Sequence, residues 1–433
     1  LTFEPVEFSP PQPQRVELEN GIILYLLQDH ELPIVEAQVF IRAGSDFDPP
    51  DKVGLSSLTA HVMRTGGTKF MSGDEVDEQL EFLAASASVS GFSTLSEHLD
   101  EVLRIFSHIL MYPVFEVEKL ELAQQRMLEM IRRESDRPTQ VAIREFIKHV
   151  AEEHPFSWFP TEQTVLNISR EDLISFHKRF YHPNNLILAI AGDFEKETLI
   201  KKIEKAFEEW NPTKIDYPDV PSLKKESKRV IYYAPKQIGQ STIILGHPVM
   251  PRSDPDFIPF ALMNRILGGS PAGDDRLFRE IRERHGLAYA VGSFLTGGNR
   301  YRGIFGVYSI TRSDATGKVI KMLLNELKRM RDEMVSEEEL DKTKNAIVNQ
   351  FVFQYTSTLE IASQAAFLEF YELPADYYKT YLDQIKKISR EDILQVVTQH
   401  LHPDNMKIIV VGSQELFDLP LETFGRVEVI DLG

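Results

Sequence analysis

An α+β fold built from two homologous halves is predicted by three observations. The chain contains a long internal repeat, each half opens with strands and continues in helices, and a proline- and lysine-rich segment lies between them. The repeat aligns residues 168–192 (ISREDLISFHKRFYHPNNLILAIAG) with 388–412 (ISREDILQVVTQHLHPDNMKIIVVG) without a gap, and nine of the 25 positions are identical. In each copy Ser169 or Ser389 caps a helix with an acid three residues on. The helix stops at a His-Pro pair, His182-Pro183 or His402-Pro403, and a buried β-run follows.

The other elements follow in order. Apolar runs at 22–27 and 34–42 open the first half as strands, and 229–233 and 241–245 open the second. Long helices come next, and each half closes on a strand, which suggests a mostly antiparallel sheet with helices on one face. Residues 211–229 (NPTKIDYPDVPSLKKESKR) have neither helical nor strand periodicity and read as a linker. The expected division is a first half at 1–212, a linker at 213–228 and a second half at 229–433. A strap of that kind lets two halves close as a clamshell around a chamber.

Composition removes several function classes. The 433 residues, 42% of them hydrophobic, supply ample core material. A formal charge of −18 opposes phosphate backbones, so no nucleic-acid partner is expected. No apolar run approaches the roughly 20 residues of a membrane-spanning helix. The absence of cysteine excludes disulfides, thiolate nucleophiles and cysteine-held zinc, leaving His, Asp and Glu as the metal ligands available. The chain starts at Leu1 with a polar, proline-rich stretch to Pro13. A mature chain with its export signal removed, periplasmic or extracellular, fits this start; a shortened chain accounts for it equally, and a cytoplasmic location stays open.

Two stretches carry a family pattern. The first runs from LENGIILYLLQDHELPIVEAQVFIRAGS into AGSDFDPPDKVGLSSLTAHVMRTGGT, where Gly54 precedes a short amphipathic helix and Gly66 and Gly67 end it. The second is ILGGSPAGDDRLFREIRERHGLAYAVGSF, residues 266–294. Together they resemble the insulinase or pitrilysin family of zinc peptidases, which includes the mitochondrial processing peptidases. The resemblance extends over nearly the whole chain and implies a metallohydrolase-like fold of the processing-peptidase type.

Active members of that family carry H-x-x-E-H on the first helix, where residues four apart share a face and two imidazoles grip one metal. The matching residues here are Ser57, Leu58, Thr59, Ala60 and His61. One imidazole has become a hydroxyl, and the glutamate general base has become a methyl group. The family's third ligand, a glutamate on a later helix, matches Met130; the neighbouring Glu129 points about 100° away. One histidine falls short of the three protein ligands usual for catalytic zinc. An arginine and a tyrosine that the family uses at the substrate from its C-terminal half match Arg282 and Tyr289. A guanidinium and a phenol can orient a scissile carbonyl and stabilise the oxyanion.

The resemblance therefore implies the non-catalytic subunit of a two-chain zinc metallopeptidase, inactive alone and without a cofactor of its own. Zinc would sit in a homologous catalytic partner with an intact motif, peptides would be the substrates, and Arg282 and Tyr289 would act in trans. Association of two copies of this chain is the other assembly open at this stage. The family's edge-strand signature is missing from residues 84–92 (AASASVSGF), so loss of a substrate-pairing strand is expected. His149 and His154, five apart, imitate a zinc motif but stand roughly 140° apart around a helix. His182 and His402 read as turn residues. A lone His61 is more often a packed side chain than a ligand, and Arg282 also fits a solvated charged run, with Tyr289 an ordinary strand aromatic. Two other functions compete: an inert scaffold or peptide-binding module of the same fold, and an independent hydrolase, for which no local motif speaks.

Overall fold

The computed structural model describes residues 11–224, 228–296, 299–351 and 356–431. The chain is α+β, with two six-stranded mixed sheets packed with helices. The strands are β1 (Gln14–Glu17), β2 (Ile23–Gln28), β3 (Ile34–Ile41), β4 (Ser86–Ser88), β5 (Gly91–Leu95), β6 (Leu186–Gly192), β7 (Val230–Pro235), β8 (Gln240–Pro248), β9 (Ala288–Leu295), β10 (Ile304–Arg312), β11 (Lys407–Gly412) and β12 (Val427–Val429). Helices α1 (Leu55–Thr65), α2 (Gly73–Phe82), α3 (Leu99–Met111), α4 (Val117–Glu134), α5 (Pro138–Ala151), α6 (Glu162–Leu166), α7 (Arg170–Phe180) and α8 (Lys196–Ala206) precede the second sheet. Helices α9 (Phe257–Leu267), α10 (Thr316–Asp332), α11 (Glu337–Phe351), α12 (Thr358–Phe370), α13 (Tyr377–Lys387) and α14 (Arg390–His400) follow its first strands.

The repeat maps onto equivalent elements. The Ser169 and Ser389 hydroxyls each accept a hydrogen bond from the backbone N–H of an acid, Asp172 or Asp392, whose carboxylate accepts from the serine N–H, and α7 and α14 start at the residue after each serine. Both helices end before the 3-10 turns Pro183–Asn185 and Pro403–Asn405, with His182 and His402 as the residues before them. The strands that follow, β6 and β11, lie inside their sheets and are buried on both faces, which is why they lack polar alternation.

The first sheet has the order β1-β2-β6-β3-β5-β4, with β2 and β6 parallel and the other pairs antiparallel. The second has the order β12-β7-β11-β8-β10-β9, with β7 parallel to β11 and to β12. Two compact units form around these sheets, and neither is continuous in sequence. One comprises Leu1–Met130, Pro160–Asp219 and Asn349–Tyr377; the other comprises Ile131–Phe159, Val220–Val348 and Tyr378–Gly433. A contiguous boundary at 212 and 229 does not describe this division.

Packing gives the reason. Helix α5 follows the first sheet's early strands in sequence, but it buries Val141, Phe146 and Val150 against Tyr232, Ile244 and Ile409 of the second sheet. Helix α12 packs Ala362 and Ala366 onto Leu27, Ile187 and Ala189 of the first sheet, where only small side chains allow so close an approach. Arg15 and Tyr25 fix the end of α12 through Glu369 at 2.8 and 2.5 Å. The segment at 213–228 has no regular structure among its described residues, and residues 225–227 lie outside them.

Candidate functional site

Helix α1 carries the first group of expected site residues. Its N-terminus is Gly54, at φ +108, a conformation that suits glycine and leaves no side chain for capping. A Cβ there would also meet Met127 Sδ of α4 at 3.2 Å. The buried Asp48 caps instead: its carboxylate accepts from the N–H of Gly54 and of Ser56, both at 2.8 Å. Burial pushes the Asp48 pKa up, and the backbone donors oppose the rise. Leu55, Leu58, Val62 and Met63 face the core. The opposite face presents Ser57, Ala60, His61 and Arg64, spaced as one helical stripe.

This stripe does not suit zinc. Ser57 and His61 are exposed, Ala60 offers a methyl group, and the Met130 side chain on α4 is 64% exposed. Among the described residues, no group of three or more His, Asp or Glu could hold a metal ion. Arg126, one turn before Met130, acts electrostatically on His61. Burial first, and that positive charge second, lower the His61 pKa. The family pattern names Ser57, Ala60, His61 and Met130 as expectations, and the four-residue step back from Met130 points to Arg126. The residues at this position therefore do not fit a zinc ion.

Residues 84–92 contain β4, a three-residue strand at the sheet edge, where Ala87 pairs with Phe92 of β5. Tertiary pairing overrides the small, serine-rich composition. Arg64 closes part of that edge: Nε donates to the Ala87 carbonyl at 2.7 Å, and Nη2 meets Asp77 at 2.6 Å. A charged side chain on an edge carbonyl opposes pairing with a further strand.

The second group lies in the other unit. Arg282 belongs to a π-helix at Phe278–Arg284, and its exposed guanidinium lies over the Phe278 ring at 5.0 Å. Gly273, at φ +64, makes room for that ring, since a Cβ there would stand 3.2 Å from it. Gly286, at φ +62, ends the π-helix by donating its N–H to the Arg282 carbonyl at 3.1 Å, and the chain passes into β9. Strand β9 is the sheet edge, and its pairing with β10 slips between Ala290 and Ala288. Tyr289 is the extra residue of that bulge, with 73% of its surface exposed. Bulges at sheet edges re-aim side chains, a role the sequence did not disclose.

Asp275 lies just before the π-helix, buried, with its carboxylate accepting from the Phe278 N–H at 2.9 Å. Burial pushes its pKa up to about 6. A raised carboxyl pKa means the folded chain holds the proton more tightly than the unfolded chain, so stability is lost as pH rises from about 4 through about 6. Asp275→Asn keeps the acceptor and removes the charge. Thermal melts should show the variant more stable than the parent at pH 7.5 and equal to it at pH 4; a variant less stable at pH 7.5 would contradict this sign.

The pair His149 and His154 is not a metal site. His149 stacks on Tyr232 at 3.5 Å and meets Glu145 at 3.4 Å, whereas His154, beyond the end of α5, accepts from the Phe156 N–H at 3.1 Å.

With this geometry, two family descriptions match the chain: "Insulinase (Peptidase family M16)" at residues 24–156 and "Peptidase M16 inactive domain" at 167–347. The chain belongs to the insulinase family. Within that family it is a member without the H-x-x-E-H motif. It is 25% identical over 395 residues to an "Uncharacterized zinc protease" of Rickettsia bellii, covering 88% of this chain and 90% of that protein. It is 22% identical to the "Non-peptidase homolog YmxG" of Helicobacter pylori, covering 90% and 91%. A crystal structure of a peptidase M16 inactive domain from Pseudomonas fluorescens shares the fold, with a TM-score of 0.85, 23% identity, 95% of this chain covered and 100% of that chain. Among the described residues, no helix is long and apolar enough to cross a membrane.

Proposed function

We propose that this chain is the non-catalytic subunit of a two-chain metallopeptidase, forming one wall of a peptide-degrading chamber and supplying Arg282 and Tyr289 to the partner's active site. One contrast carries the reading. The insulinase-family metal position holds a hydroxyl, a methyl and a thioether beside Arg126, while the arginine and tyrosine expected in the other unit are both present and exposed. Charge developing on a scissile carbonyl oxygen is what a guanidinium and a phenol stabilise, and neither group needs to sit on the chain that holds the metal. The partner is then a homologue with an intact motif, and the metal belongs to it.

The test uses the purified chain alone and mixed with such a homologue. Elemental analysis should find less than stoichiometric zinc in the isolated chain, which should cleave no peptide; cleavage should appear or rise on mixing, with both chains co-eluting. Stoichiometric zinc with activity in the isolated chain would overturn the assignment. A stable homodimer that ignores the homologue would instead favour the scaffold.

A further inference from the structure

Each half of the sequence leaves one apolar face of its own sheet for the other half to cover. In the second sheet, Ile231, Ile243, Leu245 and Ile408 point into a core with α9, α10 and α14, which come from the same half. Neighbouring strand residues, Tyr232, Ala234, Ile244 and Ile409, point to the opposite face, where α5 of the other half buries Val141, Phe146 and Val150. The first sheet shows the converse: Leu27, Ile187, Ala189 and Ala191 lie under Ala362 and Ala366 of α12, which comes from the second half. Without the helix from the other half, each sheet would present a bare apolar face to water, which folded chains avoid.

Polar contacts fasten both helices at their ends. Lys407, with a side chain 8% exposed, lies 3.7 Å from Glu152 at the end of α5. Thr358 donates to Asp29 at 3.3 Å at the start of α12, and Arg42 donates to the Phe370 carbonyl at 3.3 Å at its end. The segments that change units, Ile131–Phe159 and Asn349–Tyr377, follow α4 and α11 out of their own halves. They stand about as far apart in sequence as residues 168–192 and 388–412, so each half gives away the same piece of the repeat. We propose that the two halves of this sequence are obligate partners joined by reciprocal helix exchange: each sheet is a docking surface for the helix of a homologous half, and the linker at 213–228 is dispensable once the chain has folded. The exchange is a property of the chain itself and does not depend on the two-chain reading.

A protease recognition sequence inserted between Asp219 and Val220, where one unit ends and the other resumes, allows the folded full-length chain to be cut. The two fragments should co-elute as one particle. Cut protein is then mixed with cut, isotope-labelled protein, and hybrids are followed by native mass spectrometry. They should form only as fast as the chain unfolds, with the same denaturant dependence, because α5 and α12 have to leave their sheets before the fragments part. Phe146→Ala should speed hybrid formation at least ~10-fold, whereas Ile143→Ala, at an exposed position on the same helix, should leave it unchanged. Separation of the fragments on cutting, hybrids that form well before unfolding, or a Phe146→Ala rate equal to the parent's would overturn the proposal. Should Phe146→Ala fail to fold, the comparison of the parent's hybrid and unfolding rates decides by itself.

Discussion

Arg282→Ala is expected to lower the turnover of the mixed two-chain enzyme by ~10²–10³-fold, the usual loss when one oxyanion donor is removed. Its guanidinium is exposed and lies over the Phe278 ring, so truncation should move the thermal midpoint little. The loss should appear in kcat with co-elution of the chains preserved, because a group acting in the transition state need not hold the complex together. Tyr289→Phe should lower kcat by ~10-fold or more, since it removes only the hydroxyl and keeps the bulged ring. If both residues act on one oxygen, the double variant should lose less than the product of the single losses. Unchanged turnover in both would return Arg282 to a solvated charged stripe and Tyr289 to an ordinary edge-strand aromatic.

Local chemistry made the repeated segments legible. The Ser169–Asp172 and Ser389–Asp392 capping boxes and the His-Pro stops are short-range signals, and α7 and α14 occupy corresponding positions in the two copies. Features that depend on distant pairing were hidden. The apolar stripe of α5 shows that Val141 and Phe146 are buried, but nothing in it says against which sheet. The exposure of Tyr289 follows from a register slip against β10, and β4 exists because Ala87 finds Phe92 while Arg64 occupies its outer carbonyl. The shortage of zinc donors among Ser57, Ala60, His61 and Met130 is legible from residue type alone. That Arg126 supplies a positive charge there needed the packing of α4 beside α1.

The support beneath Arg282 gives the other large effect. Arg276, two residues before the π-helix, pairs with Glu339 of α11 through two bonds of 2.8 Å, and Arg279 reaches the same carboxylate at 3.3 Å. Burial alone would raise the Glu339 pKa; the Arg276 guanidinium and the Ser336 N–H reverse this and hold it down to about 2. A depressed acid contributes stability that is fully present above its unfolded value of about 4.5 and is lost as pH falls through about 2. Glu339→Gln leaves Arg276, whose side chain is only 10% exposed, without its counter-ion. Breaking a buried pair costs several kcal/mol, and the partial exposure of Glu339 reduces this to ~2 kcal/mol. Denaturant unfolding at pH 7 should show that loss, and the gap between variant and parent should narrow toward pH 3. Because the same carboxylate anchors the segment leading into the π-helix, the variant should also lower kcat of the mixed enzyme at temperatures where it remains folded. A gap that stays constant with pH would assign the loss to packing and remove the electrostatic account of how the π-helix is held.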